Sequence, residues 1–127
     1  ITTKYAMNMS QNLISFDFPY NGGSQLTIIL RKKGNETDVM LSISKGQFLC
    51  GLRECEAAFK FDDGSIQSIT MSEPSSHSSD LLFVAYDKTE QKLINQMKSS
   101  KKLTIELPFY QEGKRQFTFD LEGLEWD

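Results

Sequence analysis

One short run in this chain holds every residue type of a serine-hydrolase triad: Ser75, Ser76, His77, Ser78, Ser79 and Asp80. Acyl transfer by a triad needs three groups that the fold brings together from separate positions, and donors for an oxyanion. Side chains adjacent along an extended loop point apart, and the chain has no Gly-x-Ser-x-Gly elbow. The run therefore reads as a solvated, serine-rich loop. Carboxylates are the second resource: Asp17, Asp38, Asp62, Asp63, Asp80, Asp120 and Glu122. Glycoside hydrolysis would need two of them facing each other across a cleft, which spacing along the chain does not establish. Asp62-Asp63-Gly64 reads as a hairpin turn, and the later ligands of a calcium loop do not follow it.

The two cysteines, Cys50 and Cys55, form a Cys-x4-Cys pair. His77 is the one histidine and there is no second Cys/His pair, so zinc is not expected. A Cys50–Cys55 disulfide is expected instead, and with it an oxidising compartment. No metal or other cofactor is expected, since neither a phosphate loop nor a dinucleotide fingerprint occurs.

The elements that would carry these residues follow from hydrophobic period. Alternation of Ile14, Phe16, Phe18 and Tyr20 gives a strand that Pro19 confines to an edge. Further strands run through Leu26–Leu30, Val39–Ile43, Cys55–Phe61, Ile66–Met71 and the apolar run Leu81–Tyr86. Two more carry Leu103, Ile105, Leu107 and Phe109, then Phe117, Phe119 and Leu121, with a phase change at Gly123 that brings in Leu124 and Trp126. Residues 87–99 give one surface helix, with Asp87 as cap, Glu90 completing a capping box, and an apolar stripe of Leu93, Ile94 and Met97. Between Ile43 and Phe48 the inward phase changes parity, which Gly46 would accommodate as a bulge. A turn over residues 51–54 would then close a hairpin with Cys50 opposite Cys55 and Phe48 opposite Ala57.

The expected fold is all-β: an antiparallel β-sandwich, or a flattened barrel, of about eight short strands with one surface helix. At 127 residues the chain makes one domain, with residues 1–12 as a flexible lead-in and 13–127 as the folded part. A net charge of −3 argues against a nucleic-acid partner, and no run approaches the length of a membrane helix. Pro19, Tyr20, Pro108 and Tyr110, at strand ends, are the candidate binding surface.

Several motifs act together here: Phe16-Asp17-Phe18-Pro19-Tyr20, Lys45-Gly46-Gln47-Phe48-Leu49-Cys50, Phe61-Asp62-Asp63-Gly64 and Phe119-Asp120-Leu121-Glu122-Gly123-Leu124-Glu125-Trp126. With Asp38-Val39-Met40-Leu41 and Phe109-Tyr110-Gln111-Glu112-Gly113, the set resembles a family of uncharacterised exported proteins and lipoproteins of Gram-negative bacteria. The resemblance spans Leu13 to Trp126. It implies a periplasmic or outer-membrane-anchored location, with a lipid anchor upstream of a chain that begins at Ile1 as a processed product would. It implies no activity. The expected function is accordingly non-enzymatic binding of a protein or envelope component, by strand addition at an edge near Pro19 or Pro108. The alternatives are an envelope hydrolase acting on glycan or peptide, and a small-ligand binder with a pocket between two sheets.

Overall fold

The computed structural model describes residues 3–16, 22–50, 54–74, 79–110, 112–122, 124 and 126. Its strands are β1 (Thr3–Met9), β2 (Leu26–Lys33), β3 (Glu36–Ile43), β4 (Glu54–Phe61), β5 (Gln67–Ser72), β6 (Leu81–Val84), β7 (Lys102–Phe109) and β8 (Gly113–Asp120). The helix α1 spans Asp87–Ser99, between β6 and β7. All eight strands belong to one antiparallel sheet in the order β1-β2-β3-β6-β5-β4-β7-β8. The expected strand number, antiparallel pairing and surface helix are all present. The described residues hold no second sheet, as a sandwich would have, and no ladder closes the sheet into a barrel.

Alternation explains which face is covered. Leu26, Ile28 and Leu30 of β2, Val39, Leu41 and Ile43 of β3, and Leu103, Ile105, Leu107 and Phe109 of β7 are all buried. Phe59, Phe117 and Phe119 join them on the same concave face. Each such side chain contributes about 1.5–3 kcal/mol on leaving water. α1 lies over this concavity and adds Leu93, Ile94 and Met97, the stripe read from its sequence.

Three features correct the sequence reading. Residues 3–9 are a strand rather than a loose lead-in, paired with β2 from Thr3↔Lys33 to Met9↔Thr27. Its outward residues Tyr5, Met7 and Met9 stay exposed, so the stretch lacks the apolar–polar alternation that marks a half-buried strand. The second correction concerns Ser44 to Cys55. β3 and β4 are not a hairpin, because β6 and β5 lie between them in the sheet. Phe48 bridges Phe109 instead of facing Ala57, and Ala57 pairs with Ile69. The disulfide Cys50–Cys55 is present, with its Cα atoms 4.7 Å apart, but it ties the crossing segment to the start of β4. Gly46 is where the chain leaves the sheet. Its φ is +128°, and a Cβ there would sit 3.0 Å from the Phe16 ring, so both backbone and space require glycine.

The third correction is the helix start. Tyr86 is the N-cap and no side chain caps it. Glu90 turns inward, where its Oε2 accepts the Val39 N–H, and is 5% exposed. The Asp62-Asp63-Gly64 turn is found between β4 and β5, and Asp62 has a further role. Its Oδ1 accepts the N–H groups of Lys101 and Lys102 at 3.1 and 2.9 Å, pinning the entry to β7.

The sheet curls until its outer strands meet. Gln11 N–H donates to the Thr118 carbonyl (2.7 Å), and Asn8 Nδ2 donates to the Asp120 carbonyl (2.9 Å). Asn12 donates to the Gln116 carbonyl (3.0 Å) and accepts Thr118 N–H (2.9 Å). Side-chain amides thus occupy the backbone groups along the outer edge of β8, which an incoming strand would otherwise use. Asn12→Ala is expected to cost about 1–3 kcal/mol, the usual cost of orphaning such groups. It should also speed hydrogen exchange at the Thr118 amide. Unchanged protection of that amide would show the seam to be idle.

Candidate binding site

A cavity of about 380 Å³ opens where β3 and β6 part. β6 pairs with β3 only at Met40↔Phe83, Leu41↔Leu82 and Ser42↔Leu81. It then leaves with β5, Ala85 N–H donating to the Thr70 carbonyl, and enters α1. The far end of β3 therefore loses its neighbour. One wall of the gap is Glu36, Thr37 and Asp38, after the tight Gly34-Asn35 turn. The other wall is Asp87, Glu90 and Gln91 at the start of α1.

Glu90 is the centre of this arrangement. Its spacing to Leu93, Ile94 and Met97 puts it on the helix stripe that faces the core. Continuing the β3–β6 register sets Val84, the last residue of β6, opposite Val39, but the strand is leaving with β5 at that point, and Glu90 Oε2 accepts the Val39 N–H at 2.7 Å. Burial pushes the Glu90 carboxyl up to about 7, opposed by the Val39 hydrogen bond and reinforced by the negative charges of Asp38 and Asp87. Asp38 is itself held by Arg31, whose Nε and Nη2 both donate to Asp38 Oδ2. Among the described residues the cavity lining thus carries four carboxyl side chains and no lysine or arginine. Chemically it can receive a cation or a set of hydrogen-bond donors, and the carboxyl that would be neutral near pH 7 is the buried one.

The residues singled out from sequence lie elsewhere. Pro108 sits within β7, between β4 and β8, and its carbonyl accepts Leu49 N–H at 2.9 Å. It is on no sheet edge; the edges are β1 and β8. Tyr110 is 55% exposed beside the exposed Leu49, and its N–H donates to the Gln47 carbonyl. Pro19, Tyr20 and His77, with most of the serine-rich loop, lie outside the described residues. Cys50 and Cys55 are paired as expected. Among the described residues no group of three or more His, Cys, Asp or Glu is placed to hold a metal ion. An apolar crevice between β1, β2, Met97 and Leu121 measures about 10 Å³, room for at most about one water molecule. Sequence reasoning did not find the Glu90 cavity. The signal was available in the 90-93-94-97 spacing, which makes Glu90 a member of the buried stripe rather than a cap.

Comparison with known proteins yields no matching family model, no matching curated protein and no matching solved structure.

Proposed function

We propose that this chain is a non-catalytic binding domain of the bacterial envelope, and that a cationic group of its partner enters the cavity between β3 and α1. The observation that carries this reading is the cavity itself: among the described residues four carboxyl side chains line it and no lysine or arginine does. An entering cation would relieve the mutual repulsion that, with burial, keeps Glu90 protonated near neutrality. The envelope location is supported by the Cys50–Cys55 disulfide and by the resemblance to exported proteins.

The direct test is titration with N-acetyl-lysine methylamide, followed by amide NMR, with the norleucine analogue as control. Saturable shifts at Thr37, Val39, Glu90 and Gln91 are expected for the lysine compound alone. Binding should be tighter at pH 8 than at pH 5, because Glu90 is ionised above about 7. Equal responses to both compounds would overturn the reading. For the compartment, a thiol count on unreduced native protein should find no free thiol, and two free thiols would refute it.

A second reading rests on the same carboxyl. A group near pH 7 in a cavity with other carboxylates is also the pattern of a general acid–base pair, as in a hydrolase of glycan or peptide. The two readings part on Glu90→Gln. Hydrolysis would be abolished by it, whereas cation binding would survive through Glu36, Asp38 and Asp87.

A further inference from the structure

The backbone on the β3 side of this cavity is as informative as its carboxyl groups. Hydrogen-bonding direction alternates along a strand, and two contacts fix the phase in β3. Ser44 N–H donates to Gln25 in line with β2, while Ile43 N–H donates to Asp80 in line with β6. Even-numbered residues of β3 therefore bond to β2, and odd-numbered ones face the β6 side. The peptide groups of Leu41 and Ile43 meet β6 and its approach. Val39 N–H is taken by Glu90. The Val39 carbonyl faces Val84 at the end of the Met40↔Phe83 pairing, which leaves the N–H and the carbonyl of Thr37 directed into the space where β6 would have continued. No strand bonds to them there. This is a short open sheet edge inside a cavity, in a fold that covers the edge of β8 with asparagine side chains.

We infer that the open edge of β3 at Thr37 takes up an extended peptide carrying a lysine or arginine, which adds as a short strand between β3 and α1. The proposal rests on the reading of the cavity as a cation site and names what brings the cation. Main-chain bonds to the N–H and carbonyl of Thr37 would supply sequence-independent affinity, and alternate side chains of a strand would point toward the carboxyl groups. Charge complementarity decides the chemistry of the occupant: Glu36, Asp87 and Glu90 line the gap beyond the Arg31–Asp38 pair, so a basic peptide is favoured and an acidic one repelled.

The probe is the acetylated and amidated peptide TVKVT, set against N-acetyl-lysine methylamide, which cannot form a strand. The pentapeptide is expected to bind about tenfold tighter or more, the equivalent of one or two main-chain hydrogen bonds. Its glutamate counterpart, TVEVT, should bind at least tenfold more weakly than TVKVT. Thr37→Pro removes the donor that faces the cavity and no bond to β2, since Thr37 is an odd-numbered residue of β3. It should abolish the advantage of the pentapeptide over the single-residue compound when both are measured on that variant. Should that variant fail to fold, a TVKVT peptide N-methylated at alternate amides serves the same purpose on the wild-type chain. A pentapeptide no tighter than the single-residue compound, or one indifferent to Thr37→Pro and to N-methylation, overturns strand addition and leaves the cation site standing. Failure of both probes to bind overturns both. Shifts confined to β1, around Met7, would likewise refute the site.

Discussion

Glu90→Gln is expected to flatten the pH dependence of this domain's stability between about pH 4.5 and 7. In the folded chain burial raises the carboxyl from 4.5 to about 7, while in the unfolded chain it titrates near its ordinary value. The sign follows from linkage. Below the unfolded value both states are protonated and the native state carries no penalty. As pH rises toward 7 the unfolded state releases its proton first, and stability falls until the folded carboxyl ionises too. At roughly 1.4 kcal/mol per unit the whole shift corresponds to at most about 3 kcal/mol, and solvent reaching the carboxyl through the cavity screens it to less. Glutamine keeps an oxygen for the Val39 N–H and has no proton to lose. The variant should match the wild type near pH 4 and exceed it at pH 8, in denaturant unfolding measured across that range. Identical pH profiles for the two proteins would mean that Glu90 is not the titrating group. Glu90→Ala makes the contrast sharper: it also leaves Val39 N–H without its partner, and should destabilise at every pH.

This placement of Glu90 shows where the sequence is legible and where it is not. Strands whose inner residues are Leu, Ile and Phe and whose outer residues are polar announce themselves by period two, as β7 and β8 do. α1 does so through Leu93, Ile94 and Met97. β1 was invisible because its outward residues are Tyr5, Met7 and Met9 while its inner face holds Ala6 and Asn8, which inverts the usual pattern. The neighbour relations were hidden for a different reason. Between β3 and β4 the chain crosses the end of the sheet, and local pattern reads a short link between two strands as a hairpin. Nothing in the spacing of Cys50 and Cys55 distinguishes a staple across a hairpin from one that ties a crossover to a strand. The cavity was hidden because it results from β6 ending early beside a longer β3. Strand lengths at that precision lie beyond what periodicity carries. A glutamate at a buried helical position was the one local trace of it, and the capping-box pattern offered a simpler explanation for the same residue.

Phe109→Ala is expected to destabilise the domain by about 3–5 kcal/mol, more than removal of the disulfide does. Phe109 is 1% exposed at the end of β7. Its ring lies 5.0 Å from Phe16, 5.2 Å from Phe48 and 5.9 Å from Phe117. Those three rings come from the segment after β1, the crossover between β3 and β4, and β8. One side chain therefore joins three stretches that are distant in sequence, and its truncation leaves a void lined by rigid rings that cannot collapse to fill it. The disulfide, by contrast, closes a sequence separation of 5 residues, and a loop that short is worth only about 2 kcal/mol in the chain-entropy model. The crossover has other anchors besides. Phe48 N–H donates to Ser79, Leu49 N–H to Pro108, and Tyr110 N–H to Gln47. The double variant Cys50→Ser with Cys55→Ser should accordingly fold and lose less stability than Phe109→Ala in the same denaturation experiment. The reverse order would make the disulfide, rather than the aromatic cluster, the device that holds the crossover on the sheet. Phe109→Leu separates volume from ring packing. It restores most of the apolar bulk, so a cost close to that of alanine would mean that the stability lies in the ring contacts themselves.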